Sequence, residues 1–301
     1  MILYTRRVWY NGAMNEYGVM MSEHTSMRVG GPATVFCEPA DEAGLILCAR
    51  AFFRAGMPYF FLGNGTNVIV RDGGYPGAVI SVLAALGGAE AKPGGRLTSG
   101  AGMSLARASR VAAQAGLSGL EALSGIPGSV GGAVYMNAGA YGHNIADILV
   151  SAKAYDILDG KIIMLSNAEC DFGYRTSIFK TKPLLILSAE FALSSRAPGE
   201  IERDMAGYAR RRGESQPLEL PSAGSFFKRP EDGYAGQLIE AAGLKGARVG
   251  GAQISEKHAG FIVNTGGATA GDVLALAADI KAKVKARFQA ELEEEPVIIG
   301  I

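Results

Sequence analysis

GLEALSGIPGSVGGAVYMNAGAYG, residues 119–142, is the stretch on which the reading of this chain turns. It is too rich in glycine for a regular element and too apolar for a solvated loop, so it predicts an irregular segment. Gly125, Gly128, Gly131 and Gly132 remove side chains along a continuous run, which lets main-chain amides approach a flat or anionic ligand closely. Asn137, Ser129 and Tyr141 add side-chain hydrogen-bonding groups. Glycines also permit close packing of strands; the length of the run favours a cofactor bed.

A second glycine turn lies upstream, GNGTN at residues 63–67. Successive N–H groups in such a turn form a nest for phosphate oxygens. The dinucleotide fingerprint G-x-G-x-x-G is absent, because its sixth position is Val68. An ordinary tight turn is the plainer reading of these five residues taken alone.

Around these two turns the chain reads as mixed α and β. Residues 40–56 predict a helix stopped by Gly56, and residues 104–116 a second helix capped by Ser104. PYFFLG, KIIMLS, LLILSAEFAL, HAGFIVN and PVIIG predict strands, and DILDGKI a hairpin. Residues 200–213 predict a charged helix whose arginine run faces solvent or meets phosphates. QPLELPSAG predicts a boundary loop, and residues 234–244 a further helix. Residues 269–293 predict a long amphipathic helix with Asp272 in its first turn.

The bulk composition excludes several classes. Twenty-nine Lys+Arg balance 29 Asp+Glu over 301 residues, so a protein that mainly grips nucleic acid is not expected. Hydrophobic residues make up 48% and charged residues 19%, enough to bury a large core. Cys37, Cys48 and Cys170 form no C-x-x-C and predict buried thiols in a reducing cytoplasm. His24, His143 and His258 lack metal-ligand spacing, so no metal site is expected. Residues 1–18 show no signal-peptide core, and no apolar stretch is long enough to span a membrane.

Three residues stand out as chemical candidates. Arg175, in FGYRTSIFK, is flanked by aromatics that can hold its planar fork toward a carboxylate or phosphate, although a surface ion pair serves equally as an explanation. Glu295, in LEEEPVIIG, is read at the end of a helix, where the dipole raises the pKa of a carboxylate and suits it to act as an acid; a solvated helix end is the alternative. Ser225, in PSAGSFFKRP, sits in no nucleophile elbow and has no neighbouring histidine. A serine is too weak a base near neutral pH, but its hydroxyl can protonate a carbanion. That chemistry is hydride addition to a double bond followed by protonation of the adjacent carbon.

Taken together and in order, HTSMRVGGPA (24–33), GNGTNVIVRDGG, GLEALSGIPGSVGGAVYMNAGAYG, FGYRTSIFK, QPLELPSAGSFFKRP, AGQLIEAAGLKG, GGAQISEKHAGFIVN and LEEEPVIIG resemble the bacterial UDP-N-acetylenolpyruvoylglucosamine reductases of peptidoglycan synthesis. The resemblance implies an α+β protein with the vanillyl-alcohol-oxidase-type FAD fold. Two FAD-binding subdomains, 1–80 with the C-terminal strand 296–301 and 81–208, are expected beside a third, substrate-binding domain at 209–295. It implies that NADPH reduces FAD, that flavin N5 delivers hydride to C3 of the enolpyruvyl ether of a UDP-sugar, and that Ser225 protonates C2. Arg175 and Glu295 are implied to stabilise the developing charge.

FAD is implied to lie on Gly63, Asn64, Gly65, Thr66 and Asn67, on Gly125, Ile126, Pro127, Gly128 and Ser129, and on Gly131, Gly132, Asn137, Gly139 and Ala140. Tyr174, Lys228 and Gln253 are implied on the substrate side. The short connection between FGYR and SAGS matches the family's shorter subtype, type II. The family ends in LEPEV where this chain has LEEEP; Glu295 keeps the spacing to Gly300, and Glu293 is the alternative. A cytoplasmic monomer is expected, with a dimer open. An FAD-dependent alcohol oxidase on the same fold, or a flavin-binding module without turnover, are the alternative functions.

Overall fold

The computed structural model describes residues 8–10, 13–231 and 233–301. Part of the leader reading falls on residues 1–7 and 11–12, which lie outside the described residues. The chain divides into two compact units. One comprises residues 1–17, 35–64 and 77–211; the other comprises 18–34, 65–76 and 212–301.

The first unit is built on two five-stranded sheets. One has the order Val8–Tyr10, Ala13–Met20, Pro32–Pro39, Tyr75–Ser81, Tyr59–Leu62, and most of its residues lie in this unit. Its last pair is parallel, Tyr59 opposite Ala78, with residues 63–74 as the crossover, and the helix Glu42–Arg54 leads into Tyr59–Leu62. Asp41 caps that helix by accepting from the Gly44 amide at 2.8 Å, and Gly56 takes φ +62° two residues beyond its end, as the sequence predicts.

The other sheet is antiparallel throughout, in the order Lys161–Ser166, Leu149–Asp156, Leu184–Ala192, Arg96–Gly100, Ala89–Lys92. Its first hairpin pairs Asp156 with Lys161, and the Asp156 carboxylate accepts the amides of Leu158 and Asp159. The core runs through Leu97, Leu105, Leu123, Ile145 and Phe191, each fully buried. All three cysteines are free and buried. Burial pushes the Cys170 thiol up to about 11.

The segment 119–142 is more ordered than its composition predicts. It contains a short helix, Val130–Tyr135, and a strand, Gly139–Ala140. Glycine content misleads here because tertiary packing decides. Gly131 donates its amide to the Ala101 carbonyl at 2.8 Å, and a Cβ on it would lie 2.8 Å from the Ala101 Cβ. Close approach, rather than flexibility, requires glycine at that position.

The second unit holds a four-stranded antiparallel sheet, in the order Ser222–Ser225, Phe261–Asn264, Ala252–Ile254, Arg248–Val249. The expected boundary loop therefore ends inside a strand. A parallel pair joins Val68–Val70 to Val297–Ile299. The helix Ala270–Phe288 buries Val273, Leu276, Ala277, Ile280 and Val284, an apolar stripe at helical spacing, within the second core.

That helix starts with a capping box, in which Thr269 Oγ1 accepts from the Asp272 amide and the Asp272 carboxylate accepts from the Thr269 amide, both at 3.0 Å. The Thr269 amide is the main reason that the Asp272 carboxyl is held below its usual range. Asp72 adds a second cap, accepting from Ala270 at 2.8 Å and Gly271 at 2.7 Å. Asp72→Ala is expected to cost about 1 kcal/mol, the ordinary size of a lost cap, read as a lower midpoint of urea unfolding with an unchanged slope.

Candidate active site

In the first unit, the turn at Gly63–Asn64 and the loop 125–129 are tied together. Asn64 Nδ2 donates to the Pro127 carbonyl at 2.8 Å. Ser129 is buried at 1% exposure and caps the Val130–Tyr135 helix, its Oγ accepting from the Gly132 amide at 3.2 Å. A Cβ on Gly63 would collide with that Oγ. Among the described residues, no protein acceptor takes the amides of Gly63, Asn64, Gly128 or Ser129. Glycine-cleared backbone with unpartnered N–H groups is the donor set that a pyrophosphate needs, so these loops fit a flavin dinucleotide.

Not every residue expected to hold the cofactor has a polar group available for it. The amides of Val130, Gly131 and Gly132 are engaged by Met103, Ala101 and Ser129, and the Ile126 amide donates to the Leu123 carbonyl. Asn137, at φ +43°, donates through Nδ2 to Gly173 at 3.0 Å and accepts from the Ala146 amide at 3.0 Å. Its side chain therefore pins neighbouring loops together. At the start of the segment, the buried Glu121 carboxylate accepts from the Ser118 hydroxyl and the Gly119 amide, both at 2.6 Å.

Gly63→Ala is expected to weaken FAD binding by at least tenfold. The methyl must displace Ser129 Oγ, which costs a cap and overpacks a buried site. Titration of the apoprotein with FAD, followed by flavin fluorescence, measures the loss.

Arg175 stands at the tip of a tight turn in which the Gly173 amide donates to the Thr176 carbonyl at 3.1 Å. Its φ of +54° is costly for a side-chain-bearing residue. The turn is braced by Asn137 on Gly173 and by Ser177 Oγ donating to Tyr135 at 2.7 Å. Arg175 Nη2 donates to the Gly139 carbonyl at 3.1 Å, and the guanidinium lies 5.0 Å from the centroid of the exposed Tyr174 ring. The expectation that aromatics orient this arginine is met by Tyr174. A Cβ on Gly139 would press on the His143 carbonyl and approach Arg175 Nη1 to 3.4 Å, so glycine makes room for the guanidinium. Nearby, Arg211 lies over the rings of both Tyr141 and Tyr208.

In the second unit, Ser225 ends its strand opposite Phe261, after an irregularity in register at Gly224, whose φ is +80°. Ser225 is exposed, while the following Phe226 and Phe227 are buried at 0% and 4%. The two rings anchor the chain and hold the serine outward.

The segment after Ser225 pairs with the acidic run. Phe227 bridges Glu294, the Lys228 amide donates to the Glu293 carbonyl, and the Glu295 amide donates to the Phe226 carbonyl, both at 2.9 Å. The helix-end argument for Glu295 is therefore overturned. The long helix stops at Phe288, with Gln289 at φ +59°, and the three glutamates lie in extended chain beyond it. Glu293 is ion-paired with Lys228, and Glu294 accepts from Lys281 at 2.9 and 3.0 Å. Asn67 Nδ2 donates to the Glu295 carbonyl at 3.2 Å, and the Val297 amide to the Asn67 carbonyl at 2.9 Å. Asn67 thus fixes the backbone on either side of Pro296.

Two further supports in this unit carry no assigned role in the sequence reading. Ser26 Oγ donates to the Ser222 carbonyl at 2.6 Å, and the Ser26 amide to Gly65 at 3.0 Å. HTSMRVGG gave the signal for the first as a shared motif; Lys281 gave none, being one lysine in a charged helix. Gln253 uses both ends of its side chain internally, accepting from Arg248 and donating to Gly246.

Residues 33–166 match the FAD binding domain family, which bears out the expected α+β FAD fold, and with the reductase relatives and structure below makes this chain an FAD-dependent oxidoreductase. Residues 216–299 match the family described as UDP-N-acetylenolpyruvoylglucosamine reductase, C-terminal domain. The UDP-N-acetylenolpyruvoylglucosamine reductase of Clostridium botulinum (strain Langeland / NCTC 10281 / Type F) is 45% identical over 284 residues, spanning 93% of this chain and 90% of the relative. That of Agathobacter rectalis is 45% identical over 293 residues, spanning 93% and 92%. The crystal structure of UDP-N-acetylenolpyruvylglucosamine reductase from Thermus caldophilus superposes with a TM-score of 0.80 at 36% identity, over 99% of this chain and 100% of that one. The chain belongs to the UDP-N-acetylenolpyruvoylglucosamine reductase family. Among the described residues, no helix is long and apolar enough to cross a membrane, and no three His, Cys, Asp or Glu side chains group as a metal site.

Proposed function

We propose that this enzyme reduces the enolpyruvyl ether of UDP-N-acetylglucosamine to UDP-N-acetylmuramate, with NADPH as the electron source. The observation that carries the reading is local to one strand end: an outward serine whose next residue, Phe226, is hydrogen-bonded to the backbone of Glu295. A hydroxyl and a carboxylate supported on one backbone pairing suit protonation of a carbon beside a carboxylate. Bound FAD supplies the hydride.

The chain's own residues do the rest. The unpartnered amides of Gly63, Asn64, Gly128 and Ser129 hold the cofactor's pyrophosphate, helped by Gly65, Thr66 and Asn67. Gly125, Ile126, Pro127, Gly139 and Ala140 line it, while Gly131, Gly132 and Asn137 shape the loops. Ser225 gives its hydroxyl proton to C2. Arg175 and Glu295 are read as stabilising the charge that develops toward the substrate carboxylate. Tyr174 steadies Arg175, and Lys228 and Gln253 support the substrate side.

Both the nucleotide sugar and NADPH are intracellular solutes, which supports a cytoplasmic location. Residues 1–80 with the C-terminal strand 296–301, and residues 81–208, are read as the two flavin-holding parts, and 209–295 as the substrate part. Anaerobic NADPH consumption with and without UDP-N-acetylglucosamine enolpyruvate tests the reading. Substrate-dependent oxidation beyond one flavin equivalent is expected. A yellow, reducible protein that the enol ether does not stimulate overturns it.

A further inference from the structure

We propose that His258, as a neutral imidazole, is a positioning residue for Ser225: it acts through Gly260, and a proton on its Nδ1 loosens the end of the serine's strand. The proposal rests on the reading of Ser225 as proton donor.

His258 lies on a turn behind that strand. Ser225 pairs with Phe261, and the Phe226 amide donates to the Gly260 carbonyl at 2.8 Å. The Gly260 amide in turn donates to His258 Nδ1 at 3.0 Å. Gly260 is thus held at both its amide and its carbonyl, and one of the two bonds depends on an imidazole lone pair. The acceptor role assigns the ring proton to Nε2. The Phe261 amide donates to the His258 carbonyl at 3.0 Å, and the two rings meet edge to face at 5.0 Å.

The sequence gives the ring its room. A Cβ on Gly236 would lie 3.2 Å from His258 Cε1, and one on Gly260 would lie 2.9 Å from it. Buried Ser255 fixes the approach, its Oγ accepting from the amides of Lys257 at 3.1 Å and His258 at 3.3 Å. A histidine with an engaged Nδ1, in a slot lined by two glycines, is held in one orientation.

The charged groups around it are Lys245 and Glu240, ion-paired with each other at 2.7 Å, and Glu256 and Lys257 on its own turn. Burial is the main cause that lowers the His258 pKa; hydrogen bonding to its own backbone opposes it, Lys245 acts with it, and Glu240 opposes it. The fold therefore favours the neutral ring. Nothing changes above the ordinary histidine value of about 6.5. As pH falls below it and through the lowered folded value, Nδ1 turns from acceptor to donor and faces the Gly260 N–H, another donor. The bond is lost, and with it the fixed geometry behind Ser225.

The test uses flavin-loaded enzyme from pH 8 to pH 5, with the two half-reactions followed separately by stopped flow. Flavin reoxidation by UDP-N-acetylglucosamine enolpyruvate is expected to fall on the acid side with an apparent pKa below the ordinary histidine range. Flavin reduction by NADPH is expected to lack that limb. His258→Asn carries an acceptor that cannot be protonated near the Nδ1 position, so it loses the limb and stays within about threefold of wild type at pH 8. His258→Phe has no acceptor, so its reoxidation is about tenfold slower at every pH, with no limb.

An acid limb that persists in His258→Asn, or equal slowing of both half-reactions in His258→Phe, overturns the proposal. If a variant does not fold, amide exchange in the wild-type enzyme decides. Protection of Gly260 and Phe226 is expected to fall by about tenfold between pH 7.5 and pH 5, after correction for intrinsic exchange; unchanged protection overturns the proposal. If the enol ether never reoxidises the flavin, the functional reading fails, and the exchange data alone judge the His258 contact.

Discussion

Ser225→Ala is expected to slow reoxidation of the reduced flavin by the enol ether about 10²–10⁴-fold, the range of a lost general acid. Flavin reduction by NADPH is expected to stay close to wild type, because that half-reaction needs no proton at the substrate carbon. The substitution is structurally mild. Ser225 is exposed, its strand is anchored by Phe226 and Phe227, and its own side chain supports no core contact. Surface changes of this kind cost within about 0.5 kcal/mol, so a folded, yellow protein with one crippled half-reaction is the result to look for. Equal loss in both half-reactions would remove Ser225 from the proton-donor role.

The second large effect belongs to Glu295. Glu295→Gln is expected to lower substrate turnover about 10²–10³-fold, the usual cost of one group aimed at developing charge. Glu293→Gln is expected to change turnover only a few-fold. Its carboxylate pairs with Lys228 and is mostly exposed, and such pairs contribute about 0–1 kcal/mol. Glu294→Gln falls between the two, because its bond to Lys281 braces the strand on which Glu295 stands. Steady-state turnover of the three variants at one pH separates them. A Glu293→Gln enzyme as impaired as Glu295→Gln would move the role to the other end of the acidic run.

Much of the fold was legible because local signals agreed with one another. Ser104 caps the helix it was expected to cap, Gly56 follows the end of the helix it was expected to stop, and the hairpin at residues 156–161 follows from its Asp-Gly turn. The expected pairing of aromatic and arginine at Tyr174–Arg175 is also present. Two failures share a cause. The helix Val130–Tyr135 was hidden because Gly131 and Gly132 argue against helix in isolation, while contacts with Ala101 and Ser129 favour it in place. The long helix was drawn too far because its stop is a left-handed Gln289, and glutamine is no stop signal. The division of labour among the three glutamates was out of reach, since their partners Lys228 and Lys281 lie 65 and 13 positions away.

The hold of Asn67 on Glu295 has a consequence for biosynthesis. The two residues are 228 positions apart in the chain. At about 5–20 residues per second, a ribosome needs roughly 10–50 s to pass from one to the other. For that interval the glycine turn at residues 63–67 exists as nascent polypeptide without the contact that clamps it. That clamp therefore closes only once synthesis of the chain is all but finished, since Glu295 stands six residues from its end.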